Sequence, residues 1–171
     1  MAINLDGNGV NTTGLINSAT AQASTSGTSI DFTGIPSGVR RVTVMLNGVS
    51  LNGSANLRFQ IGYSGGVETT GYVSIYGYVG SASNAGTSST GFDTLGVGSA
   101  SLAVSGQVVF SLLNSSTNIW TVMGMLGAGG SAYALITTGS KTLSGTLDRV
   151  RITTTNGTDA FDAGSINILY E

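Results

Sequence analysis

The stretch Asn56-Leu57-Arg58-Phe59-Gln60-Ile61-Gly62-Tyr63 decides the fold. Leu57, Phe59, Ile61 and Tyr63 fall on one side of an extended chain, and Arg58 and Gln60 fall on the other. That period of two is the mark of a strand with one buried face. A helix would scatter the same apolar residues round its axis. The alternation recurs on either side of this segment. Ile30 and Phe32 point inward together, then Val42, Val44 and Leu46; later come Val108, Phe110 and Leu112, followed by the runs 119–125 and 132–138, Val150 with Ile152, and Ile166 with Ile168. With the run at 71–79, about nine strands are expected and helical periodicity is nearly absent.

Turn chemistry separates these runs. Pro36-Ser37-Gly38, Asn47-Gly48, Asn52-Gly53, Ser64-Gly65-Gly66, the glycines from Gly127 to Gly130, and Asn156-Gly157 all favour reversals or positive φ. Closely spaced strands without intervening helices predict an all-β chain, an antiparallel β-sandwich of jelly-roll-like form. Two stretches do not fit the alternation. Residues 1–28 are rich in Ser, Thr, Asn, Gly and Ala and read as a polar N-terminal arm, leaving 29–171 as the sandwich domain. Residues 80–106 read as a long loop in which Phe92, Leu95, Val97, Leu102 and Val104 are widely spaced. An arm with little core of its own orders against a partner, which points to an oligomer or a larger particle.

Composition narrows the chemistry. The 171 residues are 40% hydrophobic and 8% charged with a net charge of −2, which suits a folded domain. Gly, Ser, Thr and Asn supply 27, 23, 22 and 12 residues, against one Pro and one Lys. Cys and His are both absent, which removes thiol nucleophiles, His-based triads, haem ligation and the usual zinc sites. Six basic and eight acidic residues, scattered along the chain, make no nucleic-acid footprint. No basic segment followed by an apolar run opens the chain, and no stretch approaches the length of a membrane helix. The expectation is therefore a soluble product without Sec export or membrane insertion. Sequons at Asn11, Asn52, Asn114 and Asn156 are what a Ser/Thr-rich chain produces by chance, and glycosylation is not expected.

Three segments carry a resemblance: Ser29 to Ser50 (SIDFTGIPSGVRRVTVMLNGVS), Gly65 to Tyr72 (GGVETTGY), and Gly139 to Glu171 (GSKTLSGTLDRVRITTTNGTDAFDAGSINILYE). Together they resemble a domain of tailed-bacteriophage and prophage virion proteins. Such domains stand at the C-terminal end of tail-fibre-like chains or as short free-standing reading frames. The closing run, with DRVRITT, NGT and FDAGSINILYE, is the most specific part. The resemblance implies a virion structural role, localisation in the virion and homotrimeric assembly with other head or tail proteins. The chain lacks the long N-terminal shaft of a fibre, which favours a small accessory module of decoration or fibre type.

Each candidate site has a plainer reading beside it. Gly139-Ser140-Lys141-Thr142 lacks the spacing of a phosphate loop and reads as a turn. Lys141 with Ser140 or Ser144 makes a poor case for a nucleophilic dyad. Glu68, Asp159 and Asp162 are the acids available for glycoside hydrolysis, and solvated or backbone-capping carboxylates are the plainer reading. The loop 156–162 offers oxygen ligands for calcium through Asp159 and Asp162 without EF-hand spacing, as does 6–9 on a smaller scale. No cofactor is expected. The strand Tyr72 to Val79 stands out for recognition. Tyr72, Tyr76 and Tyr78 share a face with Ser74, while Val73, Ile75 and Val79 share the other. The tyrosines suit an interface with a neighbouring subunit, or else stacking on a host-surface glycan. Trp120 reads as a core or interface side chain. The expected function is non-enzymatic and structural; a carbohydrate-binding fibre-tip module and a β-sandwich glycan hydrolase are the alternatives.

Overall fold

The computed structural model describes residues 5–6, 9–10, 16–80, 83–94, 102–130 and 132–171. Among them the regular elements are all strands. In chain order these are β1 (Leu5–Asp6), β2 (Gly9–Val10), β3 (Asn17–Ser18), β4 (Gln22–Ala23), β5 (Ser29–Thr33), β6 (Arg41–Leu51), β7 (Leu57–Tyr63) and β8 (Gly66–Val67). They continue with β9 (Tyr72–Val79), β10 (Ser83–Ser88), β11 (Phe92–Asp93), β12 (Ala103–Asn114), β13 (Ile119–Gly129), β14 (Tyr133–Thr142), β15 (Leu147–Thr154) and β16 (Phe161–Tyr170).

Two antiparallel sheets carry the fold. The larger runs β10-β9-β14-β13-β12-β6-β16, with β3 and β4 both pairing with β16; the smaller runs β11-β7-β15-β5, with β8 on β7. Alternation explains which side chains meet between them. Val42, Val44, Val108, Phe110, Val122, Leu135, Ile166 and Ile168 point inward from the large sheet, and Ile30, Phe32, Leu57, Phe59, Ile61, Val150 and Ile152 from the small one. The aromatic contacts join the two layers. Phe92 of β11 meets Tyr72 of β9 edge-on at 5.0 Å between ring centroids and Phe110 of β12 at 5.8 Å. The fold is an all-β antiparallel sandwich of unequal sheets.

Three local readings are corrected. Asn47-Gly48 is not a reversal, because β6 runs straight through it for 11 residues. Gly48 has φ +63° and faces Gly164 (φ +94°), where the β6–β16 register shifts twice between Phe161 and Ser165. The pair forms an irregularity inside the sheet, since a Cβ on Gly164 would collide with the backbone of Asn47 and Gly48. Second, Gly139 to Thr142 is no turn; it is the end of β14, where Gly139 to Lys141 pair with Ser74 to Tyr72 of β9 and Thr142 with Ile119 of β13. Third, residues 83–88 within the expected long loop form β10, which pairs with β9 from Ser83↔Val79 to Ser88↔Ser74. Small polar residues conceal a strand at the edge of a sheet, where no apolar face is required. Leu95 and Val97 lie outside the described residues.

Part of the polar N-terminal stretch lies along the domain. Ser18 and Asn17 pair with Leu169 and Tyr170, and Gln22 and Ala23 with Ile166 and Ser165. Ser24 is buried, its N–H donating to Gly164 O at 3.0 Å and its hydroxyl to Ala163 O at 2.8 Å.

Candidate functional site

The tyrosine strand β9 lies between β10 and β14, so one of its faces is committed to the core. That face is the tyrosine face. Tyr72 is buried, and its hydroxyl accepts from Ile61 N–H at 3.0 Å while donating to Glu68 O at 2.8 Å. Burial pushes the phenol well above its ordinary pKa. Tyr78 is half-buried against Tyr133 at 4.8 Å, and Tyr76 is half-buried with its ring over Gly86. Trp120 is buried in the core. Tyr72 and Trp120 therefore cannot present rings to a glycan or a neighbouring subunit. The reason is tertiary: sequence gives β9 two apolar faces, and the packing of the two layers, with Phe92 of β11 against Tyr72, turns the tyrosine face inward.

Beside Tyr72 the single lysine is buried. Lys141 Nζ forms an ion pair with Glu68, donates to Thr142 O at 2.8 Å and sits 5.4 Å from the centroid of the Tyr72 ring. Glu68 also accepts Ser144 N–H at 2.7 Å. Burial pushes the Glu68 carboxyl up, but the Lys141 hydrogen bond and the Ser144 donors outweigh it and hold the group below its ordinary value. A lysine so engaged is not a free base for Ser140 or Ser144. The carboxylate, equally, is not a free acid or nucleophile.

The loop after β15 satisfies itself in the same way. Asp159 accepts from Ala55 N–H and from Asn156 Nδ2, both at 2.8 Å, and Asn156 Oδ1 accepts Thr158 N–H and Asp159 N–H at 3.0 Å. The Asn156 hydrogen bond, then the Ala55 N–H, holds Asp159 below the usual carboxylate range. Asp162 accepts the Ser50 hydroxyl. Asp159 thus caps its loop and Asp162 of β16 is held by Ser50 of β6, and among the described residues no group of three acids is placed to hold a metal ion.

The two outer faces of the sandwich differ sharply. On the small sheet Arg58 pairs with Asp93 (2.7 Å), Arg151 with Asp31 (2.7 Å) and Arg149 with Asp148 (2.7 Å). Hydrogen bonds to these carboxylates hold all three guanidiniums above their ordinary pKa. The large sheet carries the opposite surface. Val73, Ile75 and Val79 of β9, Ile136 of β14, and Met123 and Met125 of β13 all face out, Met123 being 72% and Val73 66% exposed. The register places them side by side, with Ile75 opposite Thr138, Thr138 opposite Met123, Ile136 opposite Met125, and Met123 opposite Val109. Sequence reading places Val73, Ile75 and Val79 together but leaves out the methionines. The signal was available in β13, where Trp120 and Val122 alternate with Met123 and Met125, making both faces apolar.

Comparison with family models, with curated proteins and with solved structures finds no match to this chain.

Proposed function

We propose that this chain is a non-enzymatic structural module of a tailed-bacteriophage virion, an accessory protein of decoration or fibre type. It assembles as a homotrimer and docks on other head or tail proteins. The observation that carries the reading is where the virion-like segments fall. Segments 29–50 and 139–171 lie far apart in the chain but pair directly, β5 with β15 and β6 with β16. The third segment adds β8, on the β7 edge, and leads into Tyr72. The resemblance thus maps onto paired strands in both sheets, β5 with β15 in the small one and β6 with β16 in the large one, as a shared module requires. The engagement of Glu68, Lys141 and Asp159 by structural partners favours this reading over a hydrolase. The burial of Tyr72 and Trp120 favours it over a glycan platform.

The test is localisation. Gold-labelled antibody raised against the purified chain should decorate intact tailed particles from the host that carries its reading frame, at a fixed position on head or tail. Particles that carry none of the chain, examined while it accumulates free in the lysate, would overturn the proposal.

A further inference from the structure

We infer that the outward face of the large sheet, centred on Ile75, Met123 and Met125, is the contact surface between copies of this chain. The inference deepens the assembly part of the function proposed above and rests on it. Three observations carry it.

The first is chemistry. Across β10, β9, β14, β13 and β12 the outward positions are apolar, small or hydroxylated, with Gln107 among them, and none is charged. Charge enters only at the β6–β16 margin, where Arg41 and Glu171 pair with each other. An uncharged surface meets the same face of neighbouring copies around a threefold axis with no like-charge penalty.

The second is contrast within the molecule. The outer face of the small sheet carries the partly exposed pairs Arg151–Asp31 and Arg149–Asp148, as a face in water does, beside the mostly buried pair Arg58–Asp93. The large sheet instead exposes Val73, Ile75, Val79, Met123 and Met125, each more than half exposed. Contiguous exposed apolar residues on a sheet mark a surface that is covered in the working state.

The third is extent. Five adjacent strands at roughly 4.8 Å spacing and eight residues at roughly 3.4 Å give a face on the order of 650 Å², within the roughly 600 to 1,000 Å² that a standard-size interface takes from each partner. Sheets pack face to face when opposing side chains interdigitate across a separation of about 10 Å. The protruding methionines and β-branched side chains supply that interdigitation, and Met adapts its shape to a copy of itself.

The experiment uses the purified full chain, without particles. Light scattering at micromolar concentration should give a mass of two or more chains, and the double variant Met123→Glu, Met125→Glu should loosen the assembly by roughly a hundredfold or more in Kd. These side chains project from the surface, so the variant should keep its cooperative melt. The absence of cysteine allows a second reading. A thiol placed by Met123→Cys should react with maleimide roughly tenfold or more slowly in the assembled protein than after dilution below Kd, whereas one placed by Ser116→Cys on the exposed β12–β13 turn should react equally in both. A monomeric wild-type chain overturns the inference, as does an assembly whose mass survives the double glutamate, or a Met123→Cys variant that is labelled in the assembly as fast as the Ser116→Cys variant. Failure here with gold label still on particles would remove this contact and leave the virion reading intact; assembly without particle labelling would do the reverse.

Discussion

At the scale of single residues, the interior holds two polar features of opposite standing. Thr137 is 1% exposed and its hydroxyl has no hydrogen-bond partner; the same is true of Ser74 Oγ and Trp120 Nε1. An unsatisfied buried hydroxyl is a net cost, so the isosteric Thr137→Val should stabilise the protein by about 1 kcal/mol, measured by chemical denaturation. Lys141 and Glu68 behave differently because they satisfy each other. Glu68→Gln leaves a buried ammonium without its counter-charge and should cost about 3 kcal/mol, whereas Lys141→Met with Glu68→Leu should come close to the wild type. The pair also sets a pH dependence. Since the folded Glu68 pKa lies below its unfolded value, its contribution is complete above the unfolded value of about 4.3 and is lost as pH falls through the folded one. Stability should fall on acidification below that point, and the fall should be shallower in Glu68→Gln. An equal slope in both proteins would show that the pair does not carry it.

At the scale of elements, β16 is the strand on which the large sheet closes. It pairs with β6 on one side and with β3 and β4 on the other, and buries Ile166 and Ile168 almost completely. Ile168→Ala should cost about 2 to 5 kcal/mol, the transfer of the side chain plus the cavity left behind. Close approach of two strands sets a sharper constraint at Gly139, whose φ is +153° and where a Cβ would collide with Val73 O of β9. Gly139→Ala should therefore destabilise by about 2 to 4 kcal/mol and part β14 from β9 locally, visible as faster amide exchange at the ladder positions between them. Ala substitution at Gly157, which has no atom within 4 Å of its Cβ position, should be milder, with only the φ of +70° to oppose it.

At the scale of the whole molecule, the polar stretch 16–28 covers the outer edge of β16. Its contributions are hydrogen bonds: from the backbone, Ala19 N–H to Ile168 O at 3.0 Å, Ser24 N–H to Gly164 O at 3.0 Å and Phe161 N–H to Gly27 O at 2.9 Å, and from polar side chains, Gln22 Nε2 to Asp31 O and the Ser24 hydroxyl to Ala163 O, both at 2.8 Å. Few apolar residues are needed for that role, because a strand edge asks for hydrogen-bond partners and not for core volume. A chain beginning at Thr28 should therefore expose the β16 edge, melt at a lower temperature and form larger, less defined aggregates in light scattering. An unchanged melt and unchanged mass would show that this covering is dispensable.

Much of the fold was legible because alternation is a local property. The inward side chains of Leu57 to Ile61, of Val42 to Leu46 and of Ile166 with Ile168 follow from a period of two that needs no partner strand to be read. Strand β10 was not legible, since Ser83 to Ser88 has no apolar face and becomes a strand only because β9 lies beside it. The reading of Asn47-Gly48 as a turn failed for a related reason: the same dipeptide makes a hairpin or an in-sheet irregularity according to whether a long strand such as β16 waits opposite. The candidate surface divides along the same line. Sequence by itself determined that β9 has a tyrosine face and an aliphatic face, that the chain has no thiol or imidazole chemistry, and that its charges are few. Only the tertiary structure decided which face of β9 turned inward. It aligned Ile75 with Met123 from another part of the chain and gathered the arginine–carboxylate pairs onto the opposite side, because register and layer packing are set by contacts between segments that no local pattern records.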